Sequence, residues 1–265
     1  MIRITFAVLL FHISTILVGQ KSWNTPFEEC KVQGSITVFN YQKQKWMTND
    51  PEDSQMETLP ASTFKIVNTL IALETGAVKD ELEIIPWIDN YDTTKYGHRP
   101  NIYESMSMKK AFKLSAGWAY VELAKRIGKD QYRQILTEIG YGNVDLSIND
   151  PDFWNFGDFG ISPVNQIETL VGIYEEKFPF SKKAYTILKD MMIAEETDEY
   201  VLRAKTGWTR AGGKYTGWWV GYVDREGNTY FFATRLIKKR SEHNPNFGSC
   251  RKSITKTLLK EIGAI

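Results

Sequence analysis

The sequence predicts a mixed α/β (α+β) fold in which an antiparallel sheet, formed by N- and C-terminal segments and flanked by helices, carries an inserted all-helical domain. Three observations predict it. Gly34 to Tyr41 alternates and is rich in β-branched and aromatic residues, as strands are. Similar runs lie near the other end, at Tyr200 to Lys205, Gly217 to Val223 and Thr229 to Leu236. Between them the apolar residues recur at helical spacing. Strands at both ends of a chain, with helices in the middle, form one sheet only if the ends meet. A cleft between the sheet and the helical insert is then the natural place for a site.

The elements follow in order. Arg3, the almost wholly apolar stretch Ile4 to Val18 and the small Gly19 read as a secretory leader over residues 1–19. At about 15 residues the apolar stretch falls short of the ~20 that a bilayer-spanning helix needs. Cleavage is therefore expected, leaving residues 20–265 periplasmic or secreted and not held on a membrane. Lys45 to Met47 is the partner of the first strand. Ser62 to Glu74 follows a loop containing Pro60 and is a largely apolar helix stopped by Gly76. Lys109 to Ile127 reads as one helix ending at Gly128, and Asp130 to Ile139 as the next, with Asp130 as cap and Gly140 as stop. Ser162-Pro163 is a cap followed by proline at the first helical position, opening a helix to about Glu175. Ser181 to Glu195 is another, so the helical subdomain covers about 62–195. Arg225-Glu226-Gly227-Asn228 is a hairpin turn. Lys238-Lys239-Arg240 is a solvated turn beyond the last strand, and Ser253 to Ile262 closes the chain as a helix.

Composition excludes several function classes. Of 265 residues, 42% are hydrophobic and 25% charged, and the net charge is +1 with both signs interspersed. Such a balance argues against a dominant electrostatic role such as nucleic-acid binding through a basic face. The histidines (His12, His98 and His243) are scattered, and neither CxxC nor HExxH spacing occurs, so no metal site is expected. Cys30 and Cys250 lie near opposite ends of the mature chain. In an exported protein they either pair or remain two buried thiols. A monomer or a homodimer is expected.

Two short motifs carry chemistry. In Ser62-Thr63-Phe64-Lys65, positions i and i+3 share a helix face, so the hydroxyl and the amine can meet. Serine is a weak nucleophile until a base takes its proton. Lysine is such a base only where burial disfavours its charged form, and Phe64, Ile66 and Val67 offer apolar surroundings. A helix N-terminus also presents N–H groups to a developing oxyanion. Lys205-Thr206-Gly207 ends a strand and is followed by Trp208. Its small residues let a substrate lie along the strand edge, and its lysine offers a cation to a carboxylate. Taken singly, each motif is ordinary: a capping serine near a lysine, and a strand running into a turn. In this order, on a helix and a strand, they form the pattern shared by serine β-lactamases and penicillin-binding proteins.

Further segments narrow the resemblance. Pro60 to Ile66, Tyr141-Gly142-Asn143, Phe153-Trp154 with Ile161 to Gln166, Gly217 to Gly221 and Arg251 to Ile254 resemble segments of the class D (oxacillinase-type) β-lactamases, nearly end to end along the mature chain. The resemblance implies a β-lactamase/transpeptidase-like fold, a small-molecule β-lactam substrate, and no cofactor beyond carbon dioxide or bicarbonate. It implies Ser62 as the acylated nucleophile and Lys65, carbamylated to N6-carboxylysine, as general base in acylation and deacylation. Trp154 would hold the carbamate through its indole N–H, and Ser115 would relay a proton to the lactam nitrogen. Backbone N–H groups of Ser62 and Trp208 would form the oxyanion hole. Lys205, Thr206 and Arg251 would bind the substrate carboxylate, with Gly207 alongside.

The chain also departs from the family pattern. Ser115-Ala116-Gly117 stands where Ser-x-Val is usual. Glycine removes an apolar wall beside Lys65, which either weakens carbamylation by admitting water or speeds deacylation. Asn155 replaces a commoner leucine after Trp154, a change expected to loosen the hold on the carbamate. The segment Gly97 to Met106 lacks the usual pattern, which is either a tolerated loop change or an altered cleft rim and substrate range. The alternatives to a hydrolase are a penicillin-binding protein or peptidase that deacylates slowly, or a β-lactam sensor that stays acylated.

Overall fold

The computed structural model describes residues 21–88, 92, 93, 95 and 99–265. The expected leader, His12 and His98 lie outside the described residues. A short helix α1 (Thr25–Glu29) leads into the hairpin β1 (Gln33–Asn40) and β2 (Lys45–Thr48). The helices α2 (Lys65–Glu74), α3 (Met108–Leu114), α4 (Gly117–Ile127), α5 (Lys129–Ile139), α6 (Pro163–Tyr174) and α7 (Lys182–Met191) follow. Two tiny strands, β3 (Ile84–Ile85) and β4 (Met106–Ser107), pair with each other between α2 and α3. The chain ends with β5 (Ile193–Glu196), β6 (Tyr200–Ala211), β7 (Lys214–Arg225), β8 (Asn228–Lys239) and α8 (Phe247–Glu261).

The expected meeting of the chain ends is what closes the sheet. Its order is β2-β1-β8-β7-β6-β5, all antiparallel, with Gln33 opposite Ile237 and Asn40 opposite Tyr230. Ser35 to Asn40 are all buried, because helices cover both faces of the sheet and the strand has no solvent side. One apolar cluster joins the sheet to the inserted helices, through Phe64, Trp118, Trp154 and Trp218 among others. A second joins its other face to α1 and α8, through Trp23, Phe27, Trp219 and Leu258. A Cys30–Cys250 disulfide ties the end of α1 to α8 across a sequence separation of 220, settling the open pairing.

Several expected boundaries move. The single helix Lys109 to Ile127 is two. Ser115 adopts a left-handed conformation at φ 56, and Ser115 N–H and Ala116 N–H bond back to Phe112 and Ala111 carbonyls at 3.1 and 2.9 Å. Both helices bury an apolar face, so the periodicity runs on across a corner that it cannot reveal. Gly128, not Asp130, caps α5, and Asp130 falls in its first turn. Ser162 does cap α6, its hydroxyl accepting from Asn165 N–H at 3.1 Å. The helix over Ser181 to Glu195 stops at Met191, because Ile193 to Glu196 pair with β6, and tertiary pairing overrides the helical preference of Ala and Glu. The strand expected to end at Lys205 continues to Ala211, held by β7. Lys238 and Lys239 belong to β8 itself. The last helix starts at Phe247, six residues earlier than expected by the numbering.

Candidate active site

Ser62 lies in a single 3-10 turn, Ala61–Phe64, that feeds α2, so the helix proper begins only at Lys65. Ala61 is a non-glycine residue at φ 52, a strained conformation of the kind that functional sites retain when the surroundings enforce it. Part of that enforcement is visible: Ala61 N–H donates to the Trp154 carbonyl at 3.0 Å. The tighter turn still sets residues three apart on one side. Lys65 Nζ donates to Ser62 Oγ at 3.0 Å.

Lys65 is fully buried, with Nζ 5.0 Å from the centre of the Tyr120 ring. Burial pulls its pKa down to about 8, the Asp152 carboxylate works against that fall, and the Arg99 guanidinium adds to it. Trp154 is also fully buried and stacks on Phe64 with ring centres 5.1 Å apart. Its indole N–H has no hydrogen-bond partner among the described residues. A buried donor in that state calls for a partner, which a water, an ion or a modification of a neighbouring group can supply.

Ser115 stands at the corner between α3 and α4, where its hydroxyl accepts from Lys205 Nζ. Arg99 holds this corner by donating to the carbonyls of Leu114 and Ser115 at the C-terminus of α3. Lys205 is buried, 5.4 Å over the Phe112 ring, and also donates to the Thr206 carbonyl at 3.2 Å. Burial first, and then the neighbouring Lys65, Arg251, Arg99 and Lys252, press its pKa well below the usual lysine range. Arg251 lies on α8, not in a segment before it. It donates to the Gly207 carbonyl at 2.6 Å and lies 5.6 Å over the Trp208 ring, and burial lowers its pKa to about 10.

Gly207 is required where it stands: a Cβ there would come within 2.9 Å of the Pro60 carbonyl oxygen and 3.1 Å of Thr63 Cγ2. The middle of β6 therefore presses directly against the nucleophile turn. Gly142 serves the same end elsewhere, at φ 64 with a Cβ position only 2.5 Å from the Gly160 carbonyl. Beside it, Asn143 donates to the Asp158 carbonyl and accepts from Gly160 N–H, pinning the loop that carries Trp154.

Ser62, Ser115, Thr206, Gly207, Trp208 and Arg251 line a cavity of about 530 Å³, with Gly117 also in its wall. Lys65 and Lys205 do not line it but bond to Ser62 and Ser115, which do, and Trp154 packs on Phe64 of the nucleophile turn. Sequence reasoning missed Tyr120, which reaches Lys65 from α4, and Asp152. Arg99 falls in the segment noted for its departure from the family pattern. Asn155 leaves no slack in its loop: its Nδ2 donates to Asp152 Oδ1 at 2.7 Å and its carbonyl accepts from Thr209 Oγ1 at 2.9 Å.

Comparison with known proteins agrees with this geometry. Residues 33–260 match the penicillin binding protein transpeptidase domain. The chain is 37% identical over 242 residues to β-lactamase OXA-48 of Klebsiella pneumoniae, covering 91% of this chain and 88% of that protein. It is 35% identical over 270 residues to β-lactamase OXA-2 of Salmonella typhimurium, covering 98% and 94%. Among solved structures, the class D β-lactamase from Sebaldella termitidis superposes with a TM-score of 0.86 at 40% identity, over 92% of this chain and 96% of that one. The class D β-lactamase YbXI from Nostoc gives 0.85 at 33% identity, over 92% and 99%. The chain belongs to the penicillin-binding transpeptidase-domain family and, within it, to the class D serine β-lactamases.

Proposed function

We propose that the protein opens the lactam ring of penicillins and related antibiotics through a Ser62 acyl-enzyme. The observation that carries this reading is the 3.0 Å contact between Ser62 Oγ and a buried Lys65 amine beside an open cavity. Ser62 Oγ attacks the lactam carbonyl, and Lys65 stands where the serine proton must go. The carbon–nitrogen bond breaks, and the lactam nitrogen takes a proton through Ser115, whose hydroxyl is bonded to Lys205. Backbone N–H groups of Ser62 and Trp208 stabilise the oxyanion, and Lys205, Thr206 and Arg251 receive the substrate carboxylate, alongside Gly207. Water then hydrolyses the ester on Ser62.

The surroundings of Lys65 suit a carbamate. Carbon dioxide adds only to a neutral amine, which burial favours here, and the unpartnered Trp154 indole N–H is a donor for the new anion. When formed, the carbamate supplies a general base next to Ser62. The test is to incubate purified protein with benzylpenicillin, with and without bicarbonate, following lactam absorbance and intact mass, beside Ser62→Ala. Many turnovers that rise with bicarbonate and vanish in Ser62→Ala are expected. A single lasting acyl adduct would overturn the hydrolase reading in favour of a penicillin-binding protein or sensor.

The same reading takes residues 1–19 as a cleaved leader and 20–265 as the catalytic domain, its helical part about 62–195. The Cys30–Cys250 disulfide supports an oxidising compartment. Among the described residues no helix is long and apolar enough to cross a membrane. The mass of the chain recovered from the periplasm tests the cleavage.

A further inference from the structure

The cavity beside Ser62 is lined by five basic residues, Lys95, Arg99, Lys113, Arg210 and Arg251, and by no Asp or Glu among the described residues. Three of the five are engaged. Lys95 pairs with Asp150 at 2.8 Å, Arg99 donates to the Leu114 and Ser115 carbonyls, and Arg251 donates to the Gly207 carbonyl. Lys113 and Arg210 are exposed, and their side chains have no hydrogen bond or ion pair among the described residues. Two uncompensated cations in the wall of a substrate cavity draw anions into it. The proposed reaction gives neither of them a task.

Their places follow the order of groups in the substrate. β5 pairs with β6 only as far as Arg203, so Thr206 to Arg210 present an open strand edge to the cavity. In the proposed reaction Lys205 and Thr206 receive the ring carboxylate, and the Trp208 N–H receives the lactam carbonyl. The acylamino side chain of a penicillin leaves the ring on the other side of that carbonyl from the ring nitrogen and its carboxylate. A substrate lying along the edge therefore sends its side chain on toward Arg210, two residues or about 7 Å beyond Trp208. Trp208 and Arg210 share a face of the strand, and both line the cavity, which Lys113 reaches from α3.

We propose that Arg210, together with Lys113, forms a second anion subsite that selects β-lactams with a negatively charged group on the acylamino side chain. The proposal rests on the β-lactamase reading of Ser62 and adds a substrate class to it. A carboxylate on the side chain can accept two parallel N–H bonds from the Arg210 guanidinium, which a neutral group in its place cannot do. A wall without carboxylates leaves that attraction uncancelled, and it repels an ammonium group placed on the same carbon.

The test uses three penicillins that differ at one carbon: benzylpenicillin, its α-carboxy derivative and its α-amino derivative. At pH 6, below the usual α-amino range, their side chains are neutral, anionic and cationic. kcat/KM is measured for each with the wild-type protein, Arg210→Gln, Lys113→Gln, the double variant and Arg210→Glu. The ratio of the α-carboxy compound to benzylpenicillin should fall about threefold to fivefold in each Gln variant, the size usual for an exposed ion pair, and about tenfold in the double variant. The ratio of the α-amino compound to benzylpenicillin should rise in the same variants, and Arg210→Glu should enlarge both changes. Raising the salt from about 0.1 to about 1 M shortens the screening distance from about 10 to about 3 Å and should narrow the difference between wild type and variants. A merely structural role would slow all three substrates alike. Ratios that stay fixed in every variant, or that fall together for the anionic and cationic compounds, overturn this proposal and leave the hydrolase reading in place. A wild-type protein that turns over none of the three overturns the hydrolase reading and this proposal with it.

Discussion

Replacing Lys65 by methionine should abolish turnover and yet stabilise the fold. The lysine pKa falls from its usual 10.5 to about 8 on folding, so the unfolded chain holds the proton more tightly than the native one. Below pH 8 both states are protonated and the native state bears the full penalty. Between 8 and 10.5 only the unfolded state binds the proton, so stability rises with pH. Above 10.5 the penalty is gone. At pH 7 it amounts to about 3 kcal/mol, and at pH 10 to under about 1 kcal/mol. Methionine is unbranched and apolar and can fill the space. It forfeits the bond to Ser62 and the contact with the Tyr120 ring, leaving a net gain of about 2 kcal/mol at pH 7. Lys205 gains too, because Lys65 is among the charges that depress it. The assay is urea unfolding of both proteins at pH 7 and pH 10, with the disulfide intact and carbon dioxide excluded. A variant less stable at pH 7, or one with the same offset at both pH values, would refute the reasoning.

Two substitutions in the cleft and the reduction of the disulfide give further tests. Gly117 begins α4 without a left-handed backbone, so Gly117→Val brings no backbone strain. It should restore an apolar wall and lower the bicarbonate needed for half-maximal activity several-fold, and equal dependence in the two proteins would refute this. Gly207→Ala must push β6 away from the Pro60 carbonyl, so kcat/KM should drop by about tenfold to a hundredfold; unchanged kinetics would show that the close approach is not needed. Breaking the Cys30–Cys250 bond frees a loop spanning a sequence separation of 220, for which chain entropy sets a ceiling of about 5 kcal/mol and comparable bonds usually give about 2–4. Urea midpoints with and without reductant measure that loss. Because Cys250 adjoins Arg251, KM should rise with it, and a KM unchanged by reduction would separate the two.

Much of the fold was legible in the chain because local signals encode it. Alternation marked β1 and the cores of β6, β7 and β8, and Ser162-Pro163 marked the start of α6. The pairing of Ser62 with Lys65 follows from residues three apart sharing a side of a turn, whether that turn is α or 3-10. Motif order on a helix and a strand then pointed to the family. Local signals could not show the left-handed corner at Ser115, the edge strand β5, the extent of β6 or the placement of Arg251 on α8, because long-range pairing and packing decide those. Nor could they show what governs the chemistry of Lys65. An amine becomes a base only when it is desolvated and its neighbours' charges allow it. Those neighbours arrive from elsewhere: Tyr120 bonds Thr69 of α2 across 51 positions, and Lys205 meets Ser115 across 90. The sequence by itself determined which groups this protein has for the reaction. The tertiary structure alone decided their charge states, because burial and Coulomb interactions depend on distances through space, not on positions along the chain.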